Sequence, residues 1–449
     1  MNSNIGKKNF ATKKVPYLEM SLRQKLQQLK KDNFDFLTSL HTVSGDIAQL
    51  KIGFQSIFFI NHPEYARHVL HTHITNYPKD NFYQLAEHII GQNILTTNNM
   101  AYWGERRKMI AGLFQPQSVS EMGSDIIAVI HEEIRSIKIG QNLCLNSLTT
   151  SLALKVITRL LFSTAISEQK INQLSELLTY FGDLLVKKRQ PLSLSLPIRL
   201  NRNFHKAHRE LKTLIKTIIN TERNTMKPDL IMLLSKHRCP HTQAKLTEEE
   251  LFSEAALMLF AGHETTANAL NWLFITLSKY PDLRKNLRKE IHSVLKNKML
   301  EVNDLEQMPL IKALVMEVLR LFPSFPAVPR YCLNDDVIDG YLIPAHSMII
   351  VNIAMIHRHP EFWSNPEGFD PYRFIDHQLK HKYAFLPFIN GPRVCIGNNL
   401  ALLELQLMTV LFLQQFDFNL IAGQDVSSHY IISLRTQKDI IMNVIKAEM

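Results

Sequence analysis

The 449-residue chain is poor in cysteine, poor in glycine and free of long apolar runs. Its four cysteines, Cys144, Cys239, Cys332 and Cys395, form no C-x-x-C pair, which argues against a zinc site built on thiolates. So few thiols in so long a chain read as a reduced, intracellular protein. No run of about 18 apolar residues occurs, so no membrane-spanning helix is expected. The N-terminus, MNSNIGKKNFATKKVPYLEM, lacks the apolar core of a signal peptide. A cytoplasmic protein is expected, at most peripheral at a membrane surface. No basic stripe with interleaved aromatics appears, which excludes nucleic acid as the expected partner. Repeats, linkers and low-complexity segments are missing as well. The expectation is a flexible basic tail over residues 1–15 and one domain over 16–449.

What is present is apolar bulk. Sixteen methionines and 24 phenylalanines in a chain that is 45% hydrophobic imply a large interior with room for an apolar ligand. The net charge of +10 fits either a basic face for an acidic partner or anionic lipid, or lysines spread over the surface. The stretch 46–70 reads as two strands and then a helix opened by Pro63. Residues 101–300 are helical in pattern, broken at PLSLSLPIRLNR (191–202). Those leucines, beside Lys187, Lys188 and Arg189, could dip into a membrane or pack on the protein, and packing is preferred. Residues 246–280 read as one long helix, apolar on nearly all sides and therefore central, stopped by Pro281. A helix over 309–322, strands over 337–355 and a helix over 398–416 complete a mainly α fold with small β-sheets.

FINGPRVCIG (388–397) places Cys395 at a loop-to-helix junction. Amides at a helix start favour negative charge, so a cysteine there tends toward thiolate. Gly391 and Gly397 allow tight bends and close approach to a flat object. Arg393 offers a fork suited to a carboxylate, and Phe388 can pack against sulfur. A thiolate for an iron and an arginine for a propionate are what a haem needs. The stretch resembles F-x-x-G-x-R-x-C-x-G, the haem-ligand loop of the cytochrome P-450 family. At average residue usage all five positions match by chance in about one such chain in ten thousand. The resemblance implies the cytochrome P-450 fold, with a long central helix over the haem and the cysteine loop on its proximal side. It implies haem b (iron protoporphyrin IX) with Cys395 as axial ligand and O2 as co-substrate.

Other motifs follow in family order. The resemblance makes Glu317 and Arg320, in MEVLR, and Arg373, in FDPYRF, a buried network that braces the cysteine loop. Tyr372 stands where the family usually has glutamate. Trp103 and Arg107 match W-x-x-x-R, whose side chains hold a propionate, and Arg106 and Lys108 beside them read as exposed. Asn98-Asn99 stand where Asp-Gly is common, a turn that asparagine still permits. Arg330 is implied as another propionate partner, with Ala327 and Val328 facing substrate. His357, in HRHPEFW, fits a family pattern without an assigned role.

AGHETT (261–266) puts a glycine inside the long helix, where it costs about 1 kcal/mol against alanine. A small Gly262 would let the helix pass close to haem and leave a groove for dioxygen. Glu264 and Thr265 form an acid–alcohol pair able to relay the protons that O–O cleavage needs. The bland alternative for Thr265 is a hydroxyl bonded to the preceding turn's carbonyl. The family pattern places Thr265 over the iron and Ala261 beside the substrate. The implied activity is a haem-thiolate monooxygenase acting on a lipophilic substrate such as a fatty acid, terpenoid or steroid. AGHETT resembles the family's soluble fatty-acid hydroxylases. With no flavin or iron–sulfur segment in the sequence, electrons, ultimately from NADPH, are expected from a separate ferredoxin, flavodoxin or flavin reductase. Arg106, Lys108, Lys380 and Lys382 are the expected docking cations. A peroxide-driven relative and a non-catalytic haem protein that senses or stores a ligand are the rivals.

Overall fold

A computed structural model describes residues 13–20, 33–163, 166–189, 202–221, 229–236, 245–296, 298–375, 379–430 and 432–447. The chain divides into two compact units. The first is Met1–Asn81, Met316–Cys395 and Ser427–Gln437; the second is Phe82–Val315, Ile396–Val426 and Lys438–Met449.

The first unit is built on a four-stranded sheet, in the order Ile47–Ile52, Gln55–Ile60, Met348–Val351, Val328–Tyr331. The first pair is an antiparallel hairpin with Ile47 opposite Ile60. Its two-residue turn starts at Gly53, whose φ of +58° suits a hairpin turn that reserves its first central position for glycine. Gln55–Ile60 then runs parallel to Met348–Val351, which pairs antiparallel with Val328–Tyr331. Ile47, Phe58, Ile60, Ile349 and Val351 point into one core with Tyr65, Tyr77 and Leu386. The expected strand pair after 336 forms around Asp339-Gly340, both at positive φ, joining Asp336–Ile338 to Tyr341–Ile343. The helix over Pro63–Arg67 opens as expected, with the His62 side chain accepting the Glu64 amide.

Residues 13–15, expected in the tail, are held in this unit instead. Val15 is buried in the same core, and Lys13 pairs with Asp339 at 2.7 Å. A valine with an apolar pocket beside it gains more by burial than a solvated chain end does.

The second unit centres on the helix Glu248–Lys279. Its start is fixed by a reciprocal capping box between Thr247 and Glu250, and three glutamates in its first turn face the positive end of the helix dipole. Pro281 does more than stop it: that proline is the first residue of the next helix, Pro281–Leu295. The long helix packs on Leu145–Phe162, its most extensive neighbour, and on Asn398–Gln415. Among the described residues of the expected helical stretch 101–300 there is one strand, Asn142–Cys144, which pairs with Ile441–Lys446. A helix covers Glu168–Arg189; the expected break at 191–202 lies almost wholly outside the described residues.

Candidate functional site

The cysteine loop belongs to the first unit up to Cys395. The Cys395 amide donates to the Phe388 carbonyl at 2.9 Å, and the Val394 amide to the Gly391 carbonyl at 3.1 Å. Ile389 is forced to φ +60° and Gly391 to +86°. A β-branched residue at positive φ is strained by about 1–3 kcal/mol and persists only where its surroundings fix it. At Gly391 the close approach is to protein: a Cβ there would lie 2.4 Å from the Leu70 carbonyl oxygen. Gly397, expected to bend, has an ordinary φ of −87° and caps the helix Asn398–Gln415. A Cβ on Gly397 would meet no heavy atom within 4 Å, so packing within the protein gives no reason for a glycine there.

Cys395 is exposed, whereas Cys332 is buried. The Cys332 thiol donates to the Asn334 carbonyl at 3.0 Å, and burial pushes its pKa up to about 11. Cys239 lies outside the described residues.

Glu317, Arg320 and Arg373 are joined in one buried network. Arg320 and Glu317 are fully buried. Arg320 uses all five N–H groups: Nε and Nη2 grip both Glu317 oxygens at 2.7 and 2.9 Å, and the rest reach the carbonyls of His357, Pro366 and Gly368. Glu317 Oε1 also accepts from Arg373 Nε at 3.2 Å and from the Asp370 amide at 2.8 Å. A buried carboxylate shared by two arginines is tolerable only with such complete pairing. Tyr372, in place of the family's glutamate, is exposed. The Asp370 side chain caps the Tyr372 amide, so the short turn that presents Arg373 is made without that glutamate.

His357 gains the role that the sequence left open. Its Nε2 accepts the Leu386 amide at 2.7 Å, so Nδ1 carries the hydrogen and donates to the Arg320 carbonyl at 3.0 Å. Burial holds it neutral, with its pKa down to about 3. It thereby ties the end of the Glu317/Arg320 helix to the chain two residues before Phe388.

Sequence reasoning missed Lys79. It is buried, and desolvation, then Arg393 and Arg330, drive its pKa down to about 6. Two arginines and a lysine whose charge they oppose thus share one region of the first unit. A lysine between two Pro/Asp neighbours gave no signal in the sequence. Arg330 is buried and donates to the Pro329 carbonyl at 2.8 Å. Ala327 is buried, its carbonyl accepting from the Tyr430 hydroxyl at 3.3 Å. Val328, expected at the substrate wall, packs in the core of the sheet, since its strand turns that side chain toward Val351 and Ile60.

In the second unit, Trp103 and Arg107 lie one turn apart on Met100–Ala111, the guanidinium 5.5 Å from the ring centre. Asn99 does not form a left-handed turn. At φ −70° it is the helix's cap, its side chain accepting from the amides of Ala101 and Tyr102. Arg106, expected exposed and available for docking, is buried against Glu250. It falls on the helix face that meets the long helix, whereas Lys108 does not and is exposed. Lys380 and Lys382 are exposed on the first unit.

On the long helix, Gly262 serves helix packing: a Cβ there would lie 2.8 Å from Ile157 Cδ1 on the helix Leu145–Phe162. Thr265 Oγ1 donates to the Ala261 carbonyl at 2.7 Å, the backbone bond that a helical threonine readily makes. Glu264 is half-exposed and His263 buried. Glu404, another group the sequence reading passed over, is buried, bonds Thr266, and is pushed up to about 8 by burial.

Residues 16–443 match the family model "Cytochrome P450". The chain belongs to the cytochrome P450 family. It is 28% identical to cyclooctat-9-en-7-ol 5-monooxygenase of Streptomyces melanosporofaciens over 380 residues, covering 83% of this chain and 82% of that one. It is 27% identical to human cytochrome P450 4F3 over 418 residues, covering 85% and 80%. The fold matches the crystal structure of the cytochrome P450DA heme domain with a TM-score of 0.85, at 20% identity over 97% of this chain and 98% of that one. This P450 is therefore an oxidoreductase that incorporates oxygen from O2, and its cofactor is haem b with a cysteine thiolate ligand.

The residues present fit that group. Among the described residues, Cys395 is the exposed thiol, on a strained, fixed loop. The Lys79, Arg330 and Arg393 cluster is costly by itself and suits a doubly anionic ligand such as a pair of propionates. Among the described residues no helix is long and apolar enough to cross a membrane.

Proposed function

We propose that this P450 inserts one oxygen atom from O2 into a lipophilic substrate, by hydroxylation or epoxidation, with Cys395 as the thiolate ligand. The observation that carries the reading is the fixed and exposed Cys395, braced through Leu386, His357 and Arg320. When bound, the haem supplies oxygen activation, which electron donation from the thiolate favours. The protein holds it in place: Arg393, Arg330 and Lys79 take carboxylates, as do Trp103 and Arg107. Glu264, half-exposed, takes up protons from solvent. Thr265 passes them on: its hydroxyl donates to the Ala261 carbonyl, and a hydroxyl oxygen is an acceptor as well as a donor.

The substrate reading rests on the apolar composition and on a relative whose name specifies a cyclic alcohol. Ala261 and Ala327 would border the substrate. Electrons arrive from a separate donor, ultimately NADPH, that meets the exposed Lys108, Lys380 and Lys382. The whole stretch 16–449 acts as one haem-binding domain in the cytoplasm. A ligand screen on purified haem-loaded protein, following displacement of the iron-bound water in the haem spectrum, tests the substrate class. Fatty acids, terpenoids and steroids form the first panel, and a panel without any lipophilic hit would refute the reading.

A further inference from the structure

The first unit carries a cluster of histidines that the oxygen chemistry does not use. His41, Asp46 and His359 each offer one ligating atom, all within 4.8 Å of one another. Both imidazoles reach the same carboxylate oxygen: His359 Nε2 lies 3.0 Å and His41 Nε2 3.3 Å from Asp46 Oδ1. Donors bound tetrahedrally at about 2.0–2.1 Å are about 3.3 Å apart by geometry. Two of the three spacings that a tetrahedral ion needs are therefore already set.

The scaffold holds these groups from three separate segments. The register Ile47↔Ile60 brings Asp46 beside Asn61, whose amide donates to the Asp46 carbonyl at 2.9 Å. The Asn61 side chain donates to the Gly45 carbonyl at 2.8 Å, just past the helix Asn33–Ser44 that carries His41. Asn352 closes the frame by donating to the Leu37 carbonyl and to Asn61 Oδ1, at 2.8 and 2.9 Å, and the chain runs from it through one helical turn to His359. No ligand therefore depends on a long unsupported loop.

The chemistry suits a metal. Asp46 presents a carboxylate oxygen that both imidazoles already face. The His359 side chain is 4% exposed and that of Asp46 40%, so the site has a fixed floor and an open mouth. His62 and Glu361 flank His359 on its other side.

We propose that His41, Asp46 and His359 form a binding site for a borderline divalent first-row ion of the zinc type, with water completing the coordination. Two imidazoles and a carboxylate without thiolate select this class over calcium or magnesium, which prefer all-oxygen shells. The Glu361 amide approaches His359 Nδ1 at only 3.4 Å, a weak contact. It gives way when the ring hydrogen moves from Nε2 to Nδ1 on coordination. A second triad, His68, His73 and Asp336, is the poorer site. Its carboxylate oxygen already takes both His68 and the Tyr77 hydroxyl.

The proposal is independent of the oxygen chemistry. The test uses full-length haem-loaded protein, stripped with a chelator that is then removed, and titrated with ZnCl2 against a chromogenic competitor. Wild type is expected to take up one equivalent and to gain thermal stability with zinc. Asp46→Asn and His41→Ala, both at partly exposed positions, are expected to weaken binding at least tenfold, while His73→Ala leaves it unchanged. Haem content and circular dichroism of each variant establish that it is folded. Equal zinc uptake by wild type and the His41→Ala/Asp46→Asn double variant would overturn the site, and so would loss of uptake in His73→Ala alone.

Discussion

Arg320 and Glu317 are matched donor for acceptor: both carboxylate oxygens meet the guanidinium, at 2.7 and 2.9 Å, with neither residue touching solvent. Glu317→Gln removes the charge but keeps the shape, leaving two buried arginines short of an anion. A loss of about 3–5 kcal/mol in unfolding free energy is expected. Arg320→Lys retains a charge but not the five-pointed fork, and a comparable loss should follow. Urea unfolding measures both, and haem retention should fall in parallel.

Acid sensitivity follows from His357. Its folded pKa of about 3 lies below the unfolded value of about 6.5. Between these values the unfolded chain binds the extra proton, so the stability is complete above about pH 6.5 and is lost as pH falls toward 3. The slope is about 1.4 kcal/mol per pH unit for this one group. His357→Gln should flatten the dependence of unfolding free energy on pH in that window while lowering stability at neutral pH. An unchanged slope would show that other groups govern it.

Gly262 and Ile157 make a testable steric pair. Gly262→Ala brings a methyl to 2.8 Å from Ile157 Cδ1, and a cost of about 1–3 kcal/mol is expected. Ile157→Val removes that carbon. The double variant should recover most of the loss, which a double-mutant cycle on thermal unfolding reads directly.

Thr265→Ala should leave folding and haem content intact, since the hydroxyl bonds the carbonyl of Ala261 within its own helix. The expected effect is on proton delivery: product per electron consumed falls by about 10²-fold, with reduced oxygen released instead. Coupling that stays at the wild-type level would remove Thr265 from the relay.

Cys395→Ala should abolish the carbon-monoxide spectrum typical of thiolate ligation, and Cys332→Ala should not. Cys332 is buried and bonded to its own turn, and its thiol resists ionisation. Survival of that spectrum in Cys395→Ala would refute the ligand assignment.

The sequence by itself determined the elements and the family. Apolar spacing gave the long helix, Pro63 gave a helix start, alternation gave strands over 337–355, and F-x-x-G-x-R-x-C-x-G named the loop. These signals are local, carried by residues within one turn or one loop of each other. Only the tertiary structure decided what each residue is for. It gave Gly262 to Ile157 and Gly391 to the Leu70 carbonyl, buried Arg106 against Glu250, and gathered Lys79 with Arg330 and Arg393. It also brought His41, Asp46 and His359 together across more than 300 positions of chain. Such pairings depend on how separate segments pack, and the energy of a contact distant in sequence leaves no periodic mark along it.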